Sequence, residues 1–245
     1  LDADKGAGKA VAEKVVAEKA VATFRLPPPD ATFNPAEIFL FGTGVAAQDT
    51  LKIKDTGAGR WLAPTALFPI RDPEEIGIEY PSVSHFMAGM TIKHGGKNPA
   101  VAMALFSNAP GSIHSRFEDI RRLKAGKGGK LSDADYYEIL KDEIAAVMKA
   151  LMPKELAPYR VTVDKALWSV KRDDMIREAL KQRWERDARF HKIVEAARDK
   201  KKYLLYYVGT AAGGELSGVR RTADGRIDGE NKMGRFIMEI AGFHL

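Results

Sequence analysis

The 245-residue chain has no cysteine. Disulfides, thiolate metal centres and cysteine nucleophiles are therefore excluded, and the composition fits a reducing compartment. Long apolar runs are also missing. Nothing approaches the ~20 consecutive apolar residues that a membrane-spanning helix needs. The first residues alternate Ala and Val with Lys and Glu, which does not read as a secretory signal. The expected setting is cytoplasmic or a virion, without membrane contact. Histidine is scarce too. His85, His94, His114, His191 and His244 show no ligand spacing with one another or with carboxylates, so neither a metal nor a cofactor is expected. Gly213, Gly214, Gly218 and the Lys/Gly stretch at 124–130 lack the spacing and the Lys-Ser/Thr ending of a phosphate-binding loop.

What is present suits a globular fold: 45% apolar and 29% charged residues, in a chain long enough to form a core without staples. The net charge is +6, and its location is informative. Residues 154–202 carry 15 Lys/Arg against 9 Asp/Glu, which is the whole excess. Such a stripe attracts phosphates, including those of nucleic acid. Its plainer alternative is a solvated helix face with i,i+4 ion pairs.

The pattern divides the chain into an arm at 1–35 and a domain at 36–245. Lys5 to Phe24 reads as an exposed helix, which Pro27, Pro28 and Pro29 end. Short strands are predicted at Glu37–Phe41, Leu67–Ile70 and Ile76–Tyr80, with Gly42 stopping the first. Helices are predicted from Ser84 to Lys93, from about Pro99, and from a Ser132 cap to about Met152 before Pro153. The segment 172–199 carries two apolar stripes: Ile176, Leu180 and Trp184, with Met175 and Ala179, and then Phe190, Ile193, Val194 and Ala197. Asp187 is the expected cap between them. Trp184 and Phe190 are expected in the core. Tyr203–Val208 suits a central buried strand, and a last helix runs from about Asn231 to Ala241. The fold class is α+β, with short mixed strands surrounded by helices.

Four blocks in order resemble the NADAR (YbiA-like) family over about 36–245. They are Trp61-Leu62-Ala63-Pro64 with Phe68-Pro69, then Tyr80-Pro81-Ser82-Val83-Ser84-His85-Phe86, then Trp168 with the helix through Met175, Ala179 and Leu180, and finally Gly229-Glu230-Asn231-Lys232-Met233-Gly234 through Met238-Glu239. Residues about 118–165 lengthen the usual spacing and look like an insertion. The resemblance implies a single NADAR-like domain and cleavage of N-glycosidic bonds in ADP-ribose-type substrates. That chemistry passes through a ribosyl cation-like transition state, which a carboxylate stabilises.

The resemblance places that carboxylate at position 84, where this chain has Ser84. A serine carries no charge, and here it reads as a helix cap. The family's helix lysine falls at Thr91, and Lys93, two residues on, points nearly to the opposite face. His85 and Trp168 match family positions. The histidine is a catalyst or a packing residue, and the tryptophan a stacking plate or a core anchor. Asp224 lies within one residue of the family's loop aspartate, and Arg221 near its tryptophan. Asn231 and Lys232 open the last helix, as an anion site or as an ordinary cap. Two functions follow. One is a degenerate domain without hydrolysis, serving as a binding or structural part of a virion or ribonucleoprotein. Its partners would be other chains, a ribosyl phosphate such as ADP-ribose, or nucleic acid along 154–202. The other is an active N-glycosidase whose carboxylate has moved to Glu79, Asp224 or Glu230.

Overall fold

The computed structural model describes residues 36–46, 48, 50–208, 218–221 and 226–243. The arm at 1–35 and Asp224 lie outside the described residues. The fold opens with β1 (Ile38–Phe41), α1 (Ala58–Trp61), β2 (Ile70–Arg71) and β3 (Glu79–Tyr80). Then come α2 (Val83–Met90), α3 (Pro99–Phe106), α4 (Ile113–Ala125), α5 (Asp133–Ala150) and α6 (Pro153–Leu156). It closes with α7 (Lys165–Arg186), α8 (Ala188–Asp199), β4 (Tyr203–Tyr206), β5 (Arg220–Arg221), β6 (Ile227–Asp228) and α9 (Lys232–Ile240). The architecture is α+β, dominated by helix. No described helix is long and apolar enough to cross a membrane.

The strands β1 and β4 pair in parallel, Ile38 opposite Tyr203 through Phe41 opposite Tyr206. Parallel strands need a crossover, and the described helices from α1 to α8 lie within that connection. Just past β4, Tyr207 bridges Val219. β4 is buried, as its run of tyrosines and leucines implied, but it pairs with β1 alone among the described strands and is not central in a sheet. Phe39, Phe41, Leu204 and Leu205 are buried; each such side chain contributes about 1.5–3 kcal/mol when fully enclosed. The other predicted strands are shorter than their apolar patterns suggested. Only Ile70–Arg71 and Glu79–Tyr80 pair, as β2 and β3, because Gly and Pro interrupt the rest.

Two helix starts differ from expectation. The cap of α2 is Ser82, extended at ψ 171°, whose Oγ accepts the His85 amide at 3.3 Å. Ser84 sits inside the first turn, and its own amide donates to Pro64 O. α7 begins at Lys165, with Asp164 capping the amides of Ala166 and Leu167, so Trp168 lies on the helix and not ahead of it. α5 starts on its predicted Ser132 cap. Ile139, Leu140 and Val147 of that helix are buried in this chain's own core. The segment 118–165 is therefore packed into the domain instead of being appended to it.

α7 and α8 meet at Asp187, whose carboxylate accepts the Phe190 amide at 3.0 Å and caps α8. Trp184, expected in the core, is half-buried and stacks on His191 with centroids 3.8 Å apart. The fully buried side chain of that turn is Arg183. Its guanidinium donates to Asp187 at 2.8 Å, to Trp61 O at 2.7 Å and to Ala63 O at 3.2 Å, and it lies over the Phe190 ring. Burial pulls its pKa down to about 10, which leaves it charged at neutral pH. Arg183→Met keeps the length of the side chain but strands Asp187 without its counter-charge. The expected loss is about 3–5 kcal/mol of unfolding free energy in urea titrations; an unchanged midpoint would mean that the pair contributes little.

Candidate functional site

The residues nominated by the sequence separate into four places. Asn231 adopts a left-handed conformation, φ 49°, just before α9. Its side-chain oxygen accepts the Tyr206 amide at 2.9 Å, and its nitrogen donates to Leu204 O at 2.9 Å and to Tyr203 Oη at 3.1 Å. Gly234 lies so close to β4 that a Cβ there would meet Leu204 O at 2.3 Å. The closing motif is thus a clamp between α9 and β4, and the Asn231 amide is occupied by it. Lys232 reaches Asp173 of α7 at 3.0 Å. Burial alone would raise the Asp173 pKa, but Lys232 and Arg172 hold it below the ordinary carboxylate range.

Lys93 points into the turn between β2 and β3. There its ammonium, 7% exposed, meets Asp72 at 2.8 Å and Glu74 at 3.1 Å. Burial alone would lower its pKa; those two carboxylates hold it up. The rotation that separates Lys93 from Thr91 has carried it away from any site that Thr91 lines.

Thr91 and Trp168 do come together. Both line a cleft of roughly 830 Å³ between the C-terminal end of α5, α6 and the start of α7. Its walls are mainly apolar, with Met148, Leu156 and Val163 among them, and Lys165 and Arg172 supply two cations. No carboxylate lines it among the described residues, and neither Ser84 nor Lys93 does so. Trp168 is 5% exposed, so its ring closes the floor of the cleft. The Thr91 hydroxyl donates to Met87 O one turn back. Glu79 is paired with Arg71 and Arg186, and Glu230 is exposed near Lys232.

His85 faces away from this cleft, into a contact between α2, α4 and α5. Its Nδ1 meets Ser82 Oγ at 2.8 Å, and its Nε2 lies 3.0 Å from Glu143 Oε1 of α5. That approach falls off the ring's N–H direction, leaving Nε2 buried with no hydrogen-bond partner. A buried polar atom without a partner costs about 1–3 kcal/mol. His114 of α4 adds Nδ1 at 2.5 Å from the same Glu143 oxygen, and Arg121 binds the other oxygen. Glu118 completes the group, 2.8 Å from Arg121 and 3.6 Å from His114 Nε2. Burial pushes the His85 pKa below the imidazole range, against the pull of Glu143. For Glu143, burial acts upward, but the contacts with His114 and Arg121 outweigh it and hold the carboxylate ionised. His85, His114 and Glu143 offer donor atoms that all lie within 4.8 Å of one another. The spacing argument against a metal site could not reach this group, because its members come from three helices. One signal was readable: Glu143 sits on the buried stripe of α5 with Ile139, Leu140 and Val147.

Much of the basic stripe at 154–202 is engaged in ion pairs. Arg172, Arg177, Lys181, Arg186, Arg189 and Arg198 all meet carboxylates, and Arg183 is buried. No family model matches the chain, and neither does any curated protein or solved structure.

The clamp role of Asn231 is testable. Asn231→Ala removes three hydrogen bonds from buried backbone and hydroxyl groups and a left-handed residue that Asn tolerates better. Stability should fall by about 2–4 kcal/mol, with hydrogen exchange accelerating first in α9 and β4. A variant with unaltered exchange but weakened binding of a ribosyl phosphate would return Asn231 to a ligand role.

Proposed function

We propose that this chain is a NADAR-like domain that has lost hydrolysis and serves as a binding unit for a phosphate-bearing ribosyl ligand within a larger assembly. The observation that carries this reading is the cleft lined by Thr91 and Trp168, with Lys165 and Arg172 beside them and no carboxylate in its described walls. Two of the positions that the resemblance assigns to a NADAR site thus share one concavity. Its charge suits an anion, and it lacks what N-glycoside cleavage demands, a negative group at the developing cation. Glu79 and Glu230, two of the three substitutes weighed for an active enzyme, stand elsewhere with their own cations. Contact with other chains is supported by the exposed Met148, Met152, Leu167 and Val170, carried on α5, α7 and the turn before α6. Arg172 meets Asp173 through Nε at 3.4 Å, which leaves its other nitrogens for a small phosphate; with so many other arginines of the 154–202 stripe paired, nucleic acid gains less support.

Calorimetry with ADP-ribose tests the reading. Binding should be detectable at low salt, and Arg172→Ala or Lys165→Ala should each weaken it roughly tenfold or more, the worth of one charge-assisted hydrogen bond. Single-turnover assays on ADP-ribosylated guanine or ribosylamino pyrimidine substrates should release no base. Robust release abolished by Asp224→Ala would establish the active alternative. Absent binding, or binding indifferent to both cations, would sink the ligand assignment.

A further inference from the structure

We propose that His85, His114 and Glu143 form a site for one divalent transition-metal ion of the zinc class, separate from the Trp168 cleft and independent of the ligand assigned to it. Two imidazoles and one carboxylate are a donor set that such ions take, and their three ligand atoms already converge within 4.8 Å. Donors around a tetrahedral zinc lie roughly 3.3 Å apart when each bond is about 2.0–2.1 Å. His85 Nε2 is 3.0 Å and His114 Nδ1 2.5 Å from Glu143 Oε1, so each of these two pairs opens by less than an ångström to admit the ion.

Two further features separate this group from an ordinary buried salt bridge. The first is the unpartnered His85 Nε2, on a ring whose side chain is 0% exposed. A buried ring nitrogen without a hydrogen bond calls for another partner, and an ion is one that this donor set takes. The second is that two of the three ligands have their other ends held. Ser82 Oγ lies 2.8 Å from His85 Nδ1, and with the serine as acceptor Nε2 carries the lone pair. Glu118 Oε1 stands 3.6 Å from His114 Nε2, and Arg121 binds the outer oxygen of Glu143. Such outer partners fix tautomer and ring orientation at metal sites. The two carboxylates, Glu118 and Glu143, offset Arg121 and part of the ion's charge. Access comes past His114, the one ligand with exposed surface, at 14%. A water in the fourth position would lie on that side, as in open zinc sites.

The test uses the full chain, stripped with chelator and titrated with Zn²⁺. Imidazole resonances of His85 and His114 should shift together and saturate at one equivalent, while those of His94 and His191 stay in place. Co²⁺ should give the visible absorption of a tetrahedral site and be displaced by Zn²⁺. His114→Gln, at the partly exposed ligand, should lower the affinity about 100-fold or more, and Glu118→Gln about tenfold through the outer partner. His191→Ala, on the surface of α8, should bind as wild type does. The proposal is overturned if the two resonances do not move at one equivalent. It is equally overturned if His94 or His191 moves in their place, or if His114→Gln keeps wild-type affinity. The wild-type spectra decide the matter even if a variant fails to fold.

Discussion

The buried pair of Arg183 and Asp187 is the constraint on which the placement of the long helix depends. A guanidinium with no solvent must have its hydrogen-bonding directions supplied by protein, and here they come from two separate stretches of chain. Asp187 lies at the junction of α7 and α8, and the carbonyls of Trp61 and Ala63 belong to the end of α1 and the residues just past it. One residue earlier, Gln182 brackets β2 by exchanging hydrogen bonds with both backbone groups of Arg71. The last turn of α7 therefore holds β2, α8 and the 61–63 segment in one register. Such a pair adds little net stability over a well-packed apolar substitute, but it punishes any arrangement that leaves one charge alone. Its contribution is orientation. With the C-terminal end of α7 pinned, the N-terminal end is carried to the far side of the domain. There Asp164 meets Gly95, and Trp168 closes the cleft.

α2 is the second shaft of the fold, and its two ends serve different purposes. At its start, Ser82 both caps the helix and orients His85, which turns inward to Glu143. Past its other end, Thr91 lies in a π-helical turn, Thr91–Gly95, and faces the cleft. A π turn inserts extra backbone into a helix, shifting the residues beyond it around the axis. That shift accompanies the turning of Lys93 toward Asp72 and Glu74. The close approach of Gly95 to Val163 and of Gly96 to Val161 leaves no space for side chains there. Position 91 thus faces the cleft while the lysine two residues on is held elsewhere.

Local chemistry was the legible part. Ser132, Asp187 and the proline-glycine breaks mark helix boundaries through short-range hydrogen bonds and backbone limits, and the structure has its boundaries there. The start of α2 is the exception. The pattern predicts Ser84 as its cap, whereas Ser82, one valine earlier, is extended and accepts the His85 amide. That Trp184 is half-buried and Arg183 buried was not legible, because a helical stripe is read from hydrophobicity, whereas the buried acceptors at Asp187, Trp61 and Ala63 are invisible to it. The extra length at 118–165 looked like an insertion because it breaks a motif's spacing. Spacing says nothing of packing, and α5 brings its apolar stripe and Glu143 into the centre.

Glu143 is the carboxylate that His85 meets, and its surroundings decide what that histidine can do. With serine at 84, that position offers no charge, and the nearest carboxylate to His85 comes from another helix and lies beneath the surface. An ionised group at such depth is tolerated only where cations and donors surround it. Arg121 and His114 meet that requirement, both from α4, which packs on α5. Once Glu143, Arg121 and His114 interlock, none can be altered alone without leaving a buried charge unpaired. The carboxylate thereby binds three helices together. Any chemistry left to His85 must take place within that buried group.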